Sequence, residues 1–303
     1  MKVLVTGAAG MLADSLVPAL RRAKYSVLPT DIDVSKSGCT HLDVRDFNEV
    51  WRFASRSFKP RMIIHLAAKT NLEKCELDPD DAYKNNALGT QNIALACRRL
   101  KIPMVYVSTA GVFDGTKQGL YTEFDKPNPI NVYGSSKFAG ETYVRETVGE
   151  HFIIRAGWMI GGGSKDKKFV KMILDQISSG ATKIHAVTDK FGTPTYAPAF
   201  SRVAVELIKS GFFGTYHLAC RGQATRYDVA QEILAVVNRE DIDLIPVKSD
   251  YFDKEFPAPR PRSEMMRNYV LELRGHDEMP TWQEALRQYL RDYFPEFVGS
   301  SDA

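Results

Sequence analysis

The stretch MKVLVTGAAGMLAD, residues 1–14, decides the fold. Lys2 to Thr6 is a short apolar run suited to a strand, and it passes through Gly7, Ala8, Ala9 and Gly10 straight into a helical pattern. Strand, glycine turn and helix start in that order suit the pyrophosphate of a dinucleotide. Gly7 permits the tight turn, Gly10 lets backbone amides approach without a side chain in the way, and Ala13 is small enough for the helix to pack on the strand. Met11 and Leu12 open the helix, whose free amides and positive dipole end face the phosphates. Glycine and alanine turns of this kind also occur for packing alone, so the string needs company.

That company begins with a second strand-like segment, Tyr25 to Thr30, ending at Asp31, eighteen residues beyond Ala13. An acidic side chain there can accept hydrogen bonds from the adenosine ribose hydroxyls and repels a 2′-phosphate. The sequence therefore predicts NAD(H) in preference to NADP(H), with NADP(H) left open and the neighbouring Asp33 an equal candidate by spacing. Further along, helical and strand-like patterns alternate: Leu12–Ala23, a short strand at His41–Asp46, a helix at 47–58 broken by Pro60, the apolar run Met62–Ala68, a long amphipathic helix at 80–100, a strand at 104–108, a helix at 131–147 and a strand at 152–156. Apolar runs buried on both faces and joined by helices predict a doubly wound α/β parallel sheet, Rossmann-like, with its ligand at the carboxyl ends of the strands.

Beyond Trp158 the rhythm changes. Residues 161–168 (GGGSKDKK) are glycine-rich and basic, a helix follows at 169–178, and Pro257, Pro259 and Pro261 exclude a regular helix or central strand over 252–262. The expected division is a dinucleotide-binding domain over 1–160, with 197–220 returning to it, and a smaller C-terminal α/β substrate domain over the rest of 161–303. An amphipathic helix at 280–290 closes the chain, and 299–303 reads as a frayed tail.

The composition is that of an ordinary globular protein of 303 residues, 44% hydrophobic and 25% charged. A formal charge of +3 is too small to argue for nucleic acid. Cys39, Cys75, Cys97 and Cys220 are scattered without a CxxC, which disfavours a disulfide framework or zinc site and fits a reducing cytoplasmic setting. Met1 leads directly into a core strand, leaving no room for a signal peptide, and no apolar run approaches a membrane span. HExxH, GxSxG and GxxxxGK[ST] are absent, which removes zinc protease, esterase and P-loop readings. No metal site is expected.

A second anchor is YGSSK at 133–137, inside a helical pattern. Tyr133 and Lys137, four residues apart, share one helical face. An ordinary tyrosine, with a pKa near 10, exchanges protons poorly at neutral pH, and a nearby ammonium stabilises its phenolate. With thirteen tyrosines in the chain, one YxxxK arises by chance, so its position matters more than its presence. Thr109 follows the strand MVYVS, where its hydroxyl would face the same cleft and stabilise a developing alkoxide; capping the next turn is its alternative role.

Taken together, these segments resemble the extended short-chain dehydrogenase/reductase family and, within it, the dTDP-4-dehydrorhamnose reductases. The resemblance rests on VTGAAGML (5–12), LDVRD (42–46), HLAAKTNLEKCE (65–76), NNALGTQNIA (85–94), VSTAGVFDG (107–115), YTEFDKPNPINVYGSSKFAGE (121–141), FVKMIL (169–174), GTPTYAP (192–198) and PTWQEALRQYL (280–290). It implies hydride reduction of the 4-keto group of a nucleotide-activated 6-deoxysugar. Thr109, Tyr133 and Lys137 would be the catalytic trio: Tyr133 the proton donor, Lys137 the holder of the nicotinamide ribose and the group that tunes Tyr133. Asn86 would support a proton relay. Asp43 and Val44 would touch the adenine, and Ala67, Ala68 and Lys69 would line the inner half of the cofactor, with core packing the alternative for the alanines. Trp158 would cover an apolar face of the sugar, or else be a core residue. Lys168 with Arg260 or Arg262 could hold the nucleotide diphosphate, although each could equally be a solvated charge. A homodimer is also implied, since relatives are commonly dimers.

The chain departs from the family at three places. Ala110 and Gly111 replace the Asp and Glu that related sugar-nucleotide 4,6-dehydratases use as acid and base, which disfavours dehydration. Lys168 stands where the reductases often have asparagine, and Ser15 where the family has an acidic residue linked to magnesium. The same resemblance admits two rivals, an NAD-retaining sugar-nucleotide epimerase and a non-catalytic regulatory subunit like that of methionine adenosyltransferase.

Overall fold

The computed structural model describes residues 1–35, 38–166 and 169–298. Its first half runs β1 (Lys2–Thr6), α1 (Ala13–Arg22), β2 (Ser26–Asp31), β3 (Thr40–His41), α2 (Phe47–Arg52), β4 (Met62–His65), α3 (Leu72–Leu77), α4 (Pro79–Tyr83), α5 (Gly89–Leu100), β5 (Met104–Thr109), α6 (Val132–Thr147) and β6 (His151–Ala156). It continues through β7 (Trp158–Ile160), α7 (Phe169–Ser178), β8 (Lys183–Val187), β9 (Phe191–Gly192), β10 (Pro194–Tyr196), α8 (Ala197–Ser210), β11 (Gly214–Leu218), β12 (Ala224–Thr225), α9 (Arg226–Val236), β13 (Asp243–Val247), α10 (Tyr269–Leu273) and α11 (Trp282–Tyr293).

Seven strands pair in the order β3-β2-β1-β4-β5-β6-β11, every pair parallel. Successive side chains point to opposite faces, which explains why the strands read as unbroken apolar runs. Val3, Val5, Ile64, Val105, Phe152 and Ile154 lie in the core that α1 and α8 cover, whereas Leu4, Ile63, Met104, Tyr106 and Ile153 lie in the core covered by α2, α5 and α6. The order reverses between β1 and β4, and a doubly wound sheet opens its ligand crevice at that point, beyond the carboxyl ends of the strands.

Three two-stranded pairings, β7 with β10, β8 with β13 and β9 with β12, build the region after β6, and β11 rejoins the main sheet beside β6. Ile173, Ile184, Val229, Ile233 and Leu286 of this region belong to the same apolar cluster as Val3 and Val5, so its core is continuous with that of the sheet.

Several elements differ from the sequence expectation for local reasons. The strand expected at 41–46 is confined to Thr40–His41, because Asp43 accepts from Arg45 N–H (2.9 Å) and bends the chain, and Asp46 then caps α2 through Asn48 and Glu49 N–H. The helix expected over 80–100 contains a wider π turn at Lys84–Leu88, which carries the fully buried Asn86. β4 ends at His65, where the backbone meets the Gly7 turn. α11 starts later than Pro280, at a reciprocal cap between Thr281 and Glu284. The tail at 299–303 lies outside the described residues.

Candidate active site

Gly7 has φ +71°, a left-handed conformation, and a Cβ there would fall 2.4 Å from Ala67 N. Only glycine lets the first turn press against the chain leaving β4. Gly10 N–H returns to Gly7 O (3.2 Å), and α1 begins without a side-chain cap, so its first amides are not claimed by a capping side chain. Asp31, at the end of β2, accepts from Ala9 N–H through Oδ2 (2.9 Å) and from Asp33 N–H through Oδ1 (3.0 Å). The acidic group thus ties the second strand to the glycine turn. Half-buried Met11 lies against the 161–163 loop, since a Cβ on Gly162 would fall 2.7 Å from its Cγ, and Leu12 packs on the core.

The other expected cofactor contacts are scattered around this turn. Ala67 and Ala68 are half-buried beside it. Lys69 is fastened by its backbone, its N–H donating to Asn86 Oδ1 (2.7 Å) and its C=O accepting from Asn86 Nδ2 (3.0 Å), while its ammonium pairs with Asp81 (2.6 Å). Asn86 Nδ2 also donates to Ser136 Oγ (3.0 Å), linking the π turn to α6. The Arg45 guanidinium chelates Asp43 and holds its carboxyl below the usual carboxylate range. Val44 turns its side chain into the core against Gly89, and its carbonyl accepts from Asn92 Nδ2 (3.0 Å).

Thr109 and Tyr133 meet because α6 can crowd the turn after β5. Asn131 caps α6 through Gly134 N–H (2.7 Å), and a Cβ on Gly134 would fall 2.1 Å from Gly111 O. The glycine of YGSSK is therefore needed to bring Tyr133 up to Thr109. Burial pushes the Tyr133 phenol up to about 12, opposed by a hydrogen bond with Thr109 and reinforced by Glu264 and Cys75. Lys137 donates to Val107 O (2.9 Å) and lies 4.2 Å from the centroid of the Tyr106 ring. Burial brings its ammonium down to about 7 against the pull of Glu141. The sequence expectation had Lys137 drawing the phenol down; the phenol is instead raised, chiefly by burial, so Tyr133 is protonated near neutral pH.

Trp158, Arg260 and Lys168 were the expected sugar and diphosphate contacts. Lys168 lies outside the described residues. Arg260 donates to Phe256 O (3.0 Å) and Ala258 O (2.9 Å) and pairs with Glu73, so its guanidinium is engaged in fastening the proline-rich segment to α3. The Trp158 ring is held from two sides. A Cβ on Gly192 would fall 2.2 Å from its Cε2, and the Arg226 guanidinium lies 3.7 Å from the ring centroid. Groups this close crowd the ring and restrict the flat face that covering a sugar would use. Its Nε1–H instead donates to Glu264 Oε2 (2.8 Å).

The family model for the RmlD substrate binding domain matches residues 1–294. The chain belongs to this family. It is 31% identical over 96% of its length to the spore coat polysaccharide biosynthesis protein SpsK of Bacillus subtilis, 97% of which is covered. Among solved structures, the dTDP-4-dehydrorhamnose reductase of Yersinia enterocolitica superposes with a TM-score of 0.86 at 36% identity, covering 97% of this chain and 99% of that one. That of Bacillus anthracis, in complex with NADP, also gives 0.86, at 32% identity over 96% and 99% of the two chains. The chain is an oxidoreductase of the extended short-chain dehydrogenase/reductase type with a Rossmann-like fold.

For this RmlD-family chain, the Gly7 cradle, which a Cβ would fill, fits a bound dinucleotide. Among the described residues no cluster of three or more His, Cys, Asp or Glu side chains is placed to hold a metal ion, and Ser15 Oγ is buried without a partner. No helix among the described residues is long and apolar enough to cross a membrane. Sequence reading missed Arg226, Glu264 and Gly192, which lie 34 to 106 residues from the Trp158 they surround. No local motif marks them; Arg226 is simply the first residue of α9 after the Thr225 cap.

Proposed function

We propose that the chain reduces the 4-keto group of a nucleotide-activated 6-deoxysugar with hydride from a nicotinamide dinucleotide. The observation that carries this reading is the meeting of a protonated, half-buried Tyr133 with Thr109 at the carboxyl end of β5, in a chain whose relatives in Mycolicibacterium smegmatis and Streptomyces niveus are named dTDP-4-dehydrorhamnose reductase and dTDP-4-keto-6-deoxy-D-glucose reductase.

The dinucleotide supplies the hydride when bound. Thr109 orients the carbonyl oxygen by hydrogen bonding, and Tyr133 gives it a proton as negative charge develops. Lys137, anchored on Val107 O, holds the nicotinamide ribose, and Asn86 keeps the 69–70 backbone and α6 in register behind it. Asp31 favours NADH by repelling a 2′-phosphate. Residues 1–160 with 197–220 would form the dinucleotide-binding part and the remainder the substrate part. The chain would act as a homodimer in the cytoplasm.

The test is oxidation of NADH, with NADPH in parallel, against a panel of nucleotide 4-keto-6-deoxysugars. Turnover with one of them supports the reading. Silence across the panel, with nicotinamide nucleotide retained through purification, would replace it with sugar-nucleotide epimerisation.

A further inference from the structure

Glu264 is the carboxylate nearest the proposed chemistry, and the reduction of a ketone has no use for it. It is rigidly placed. Its N–H donates to Phe191 O (2.8 Å), Phe191 N–H donates to Arg262 O (2.8 Å), and Ser263 bridges to β9, the strand whose Gly192 backs the Trp158 ring. One carboxylate oxygen, Oε2, is satisfied by Trp158 Nε1–H at 2.8 Å. The other, Oε1, accepts no hydrogen bond from the described residues. It lies 3.6 Å from the point where a side chain on Gly111 would begin, and Thr109 Oγ1 lies 3.4 Å from that same point. The free oxygen of Glu264 and the hydroxyl of Thr109 therefore border one small space, left open because residue 111 has no side chain.

We propose that Glu264 is a specificity-determining residue that accepts a hydrogen bond from a hydroxyl on the sugar ring carbon next to the carbonyl. The inference rests on the sugar-reductase reading and narrows its substrate class to keto-sugars that keep that hydroxyl. With Thr109 engaging the carbonyl oxygen, a neighbouring ring substituent falls within reach of Oε1. A hydroxyl is favoured over a protonated amine by charge. The Arg226 guanidinium, stacked on Trp158 and 5.1 Å from the centroid of Phe169, makes no hydrogen bond to the described residues and opposes a second cation beside Glu264. An acceptor built to meet a hydroxyl disfavours a ligand lacking that donor, because its own desolvation then goes uncompensated. Trp158 is on this view a positioning residue, holding Glu264 by its edge and Arg226 by its face.

The test is calorimetric titration of dTDP, of a dTDP-6-deoxyhexose and of its 3-deoxy counterpart into the wild-type protein, Glu264→Gln and Glu264→Ala. Both variants should weaken the 6-deoxyhexose at least fivefold and leave dTDP within twofold. The 3-deoxy compound should bind the wild type more weakly than the full sugar, and neither substitution should weaken it further, Glu264→Ala relieving the uncompensated desolvation of the carboxylate. Trp158→Phe, which loses the N–H and keeps a ring for Arg226, should raise KM for the sugar more than it lowers kcat. Equal weakening of dTDP and sugar, or no weakening, overturns the assignment while leaving the reductase reading intact. A wild-type protein that binds none of the three ligands overturns both. Glu264→Gln preserves volume and the acceptor for Trp158, so a loss seen only in Glu264→Ala together with a lowered melting temperature would mark Glu264 as structural and overturn the proposal.

Discussion

The two sides of the cleft are built differently. On the cofactor side, contiguous backbone does most of the shaping: a glycine turn after β1 pressed against the chain leaving β4, with Asp31 tying in the next strand. On the proposed sugar side, the Gly192 backbone of β9, the Arg226 side chain of α9 and the Glu264 carboxylate converge on the Trp158 indole of β7. A backbone cradle tolerates almost any neighbouring side chain but no Cβ in the wrong place. A side-chain constellation can be changed one residue at a time.

The largest effect should come where the two sides meet. Tyr133→Phe removes the proposed proton donor and leaves both the cradle and the Trp158 constellation in place. Turnover should fall by roughly 10²–10⁴-fold, the usual worth of a positioned general acid, with NADH affinity measured by fluorescence titration within twofold of wild type. Turnover that survives would move the proton transfer to water or to another group.

The difference in legibility follows from the difference in construction. Gly7, Gly10 and Asp31 sit within a few dozen residues of one another, and their spacing is dictated by the length of one strand, one helix and one more strand. Tyr133 and Lys137 share a helical face at a spacing visible by eye. The alternation of apolar runs with helical patterns gave away the parallel sheet, because strands buried on both faces leave no polar period. What could not be read was set by tertiary contact. Desolvation raises the Tyr133 phenol and lowers the Lys137 ammonium, an effect that depends on how much water the folded chain excludes. Trp158 is crowded by Gly192 and Arg226, residues remote in sequence, and Arg260 is engaged by Glu73, 187 positions away. The π turn at Asn86 interrupts a stretch whose amphipathic pattern reads as one helix.

The backbone character of the cofactor side can be broken with a single methyl group. Gly7→Ala should cost about 3 kcal/mol or more, combining the left-handed backbone penalty with a clash against the main chain. Gly275 has the same φ of +71° but nothing within 4 Å of a Cβ. Gly275→Ala should therefore cost only about 1–2 kcal/mol. Denaturant melts of the two variants isolate the clash, and equal costs would show that the turn is not pressed against Ala67.

Lys137 offers a pH test of how dry the junction is. Its folded pKa of about 7 lies below the ordinary 10.5, so between those values the folded chain binds fewer protons than the unfolded one. Stability therefore rises with pH from about 7 toward 10.5 as the penalty of burying the ammonium disappears. Lys137→Met should be inactive yet more stable than wild type by on the order of 2 kcal/mol near neutral pH, with the gap closing toward pH 10.5. A gap that does not change with pH would mean that the ammonium is well solvated or fully paired.

Asp31 gives the smallest and most discriminating comparison, because it serves the cofactor side in two ways at once. Its carboxylate holds Ala9 N–H and Asp33 N–H, and on the proposed reading its charge would oppose a 2′-phosphate. Asp31→Asn keeps a carbonyl oxygen able to accept from Ala9 and removes the charge; Asp31→Ala removes both. If charge alone sets cofactor choice, both variants should shift the NADH-to-NADPH preference in kcat/KM by roughly tenfold, about 1.4 kcal/mol, and only Asp31→Ala should also lower the melting temperature. If the tie to the glycine turn is what matters, Asp31→Asn should behave like wild type with both cofactors while Asp31→Ala weakens both equally. A preference unmoved by either variant would transfer the role to Asp33, whose carboxylate accepts from Ser35 N–H at 3.0 Å and stands two residues further along the same turn.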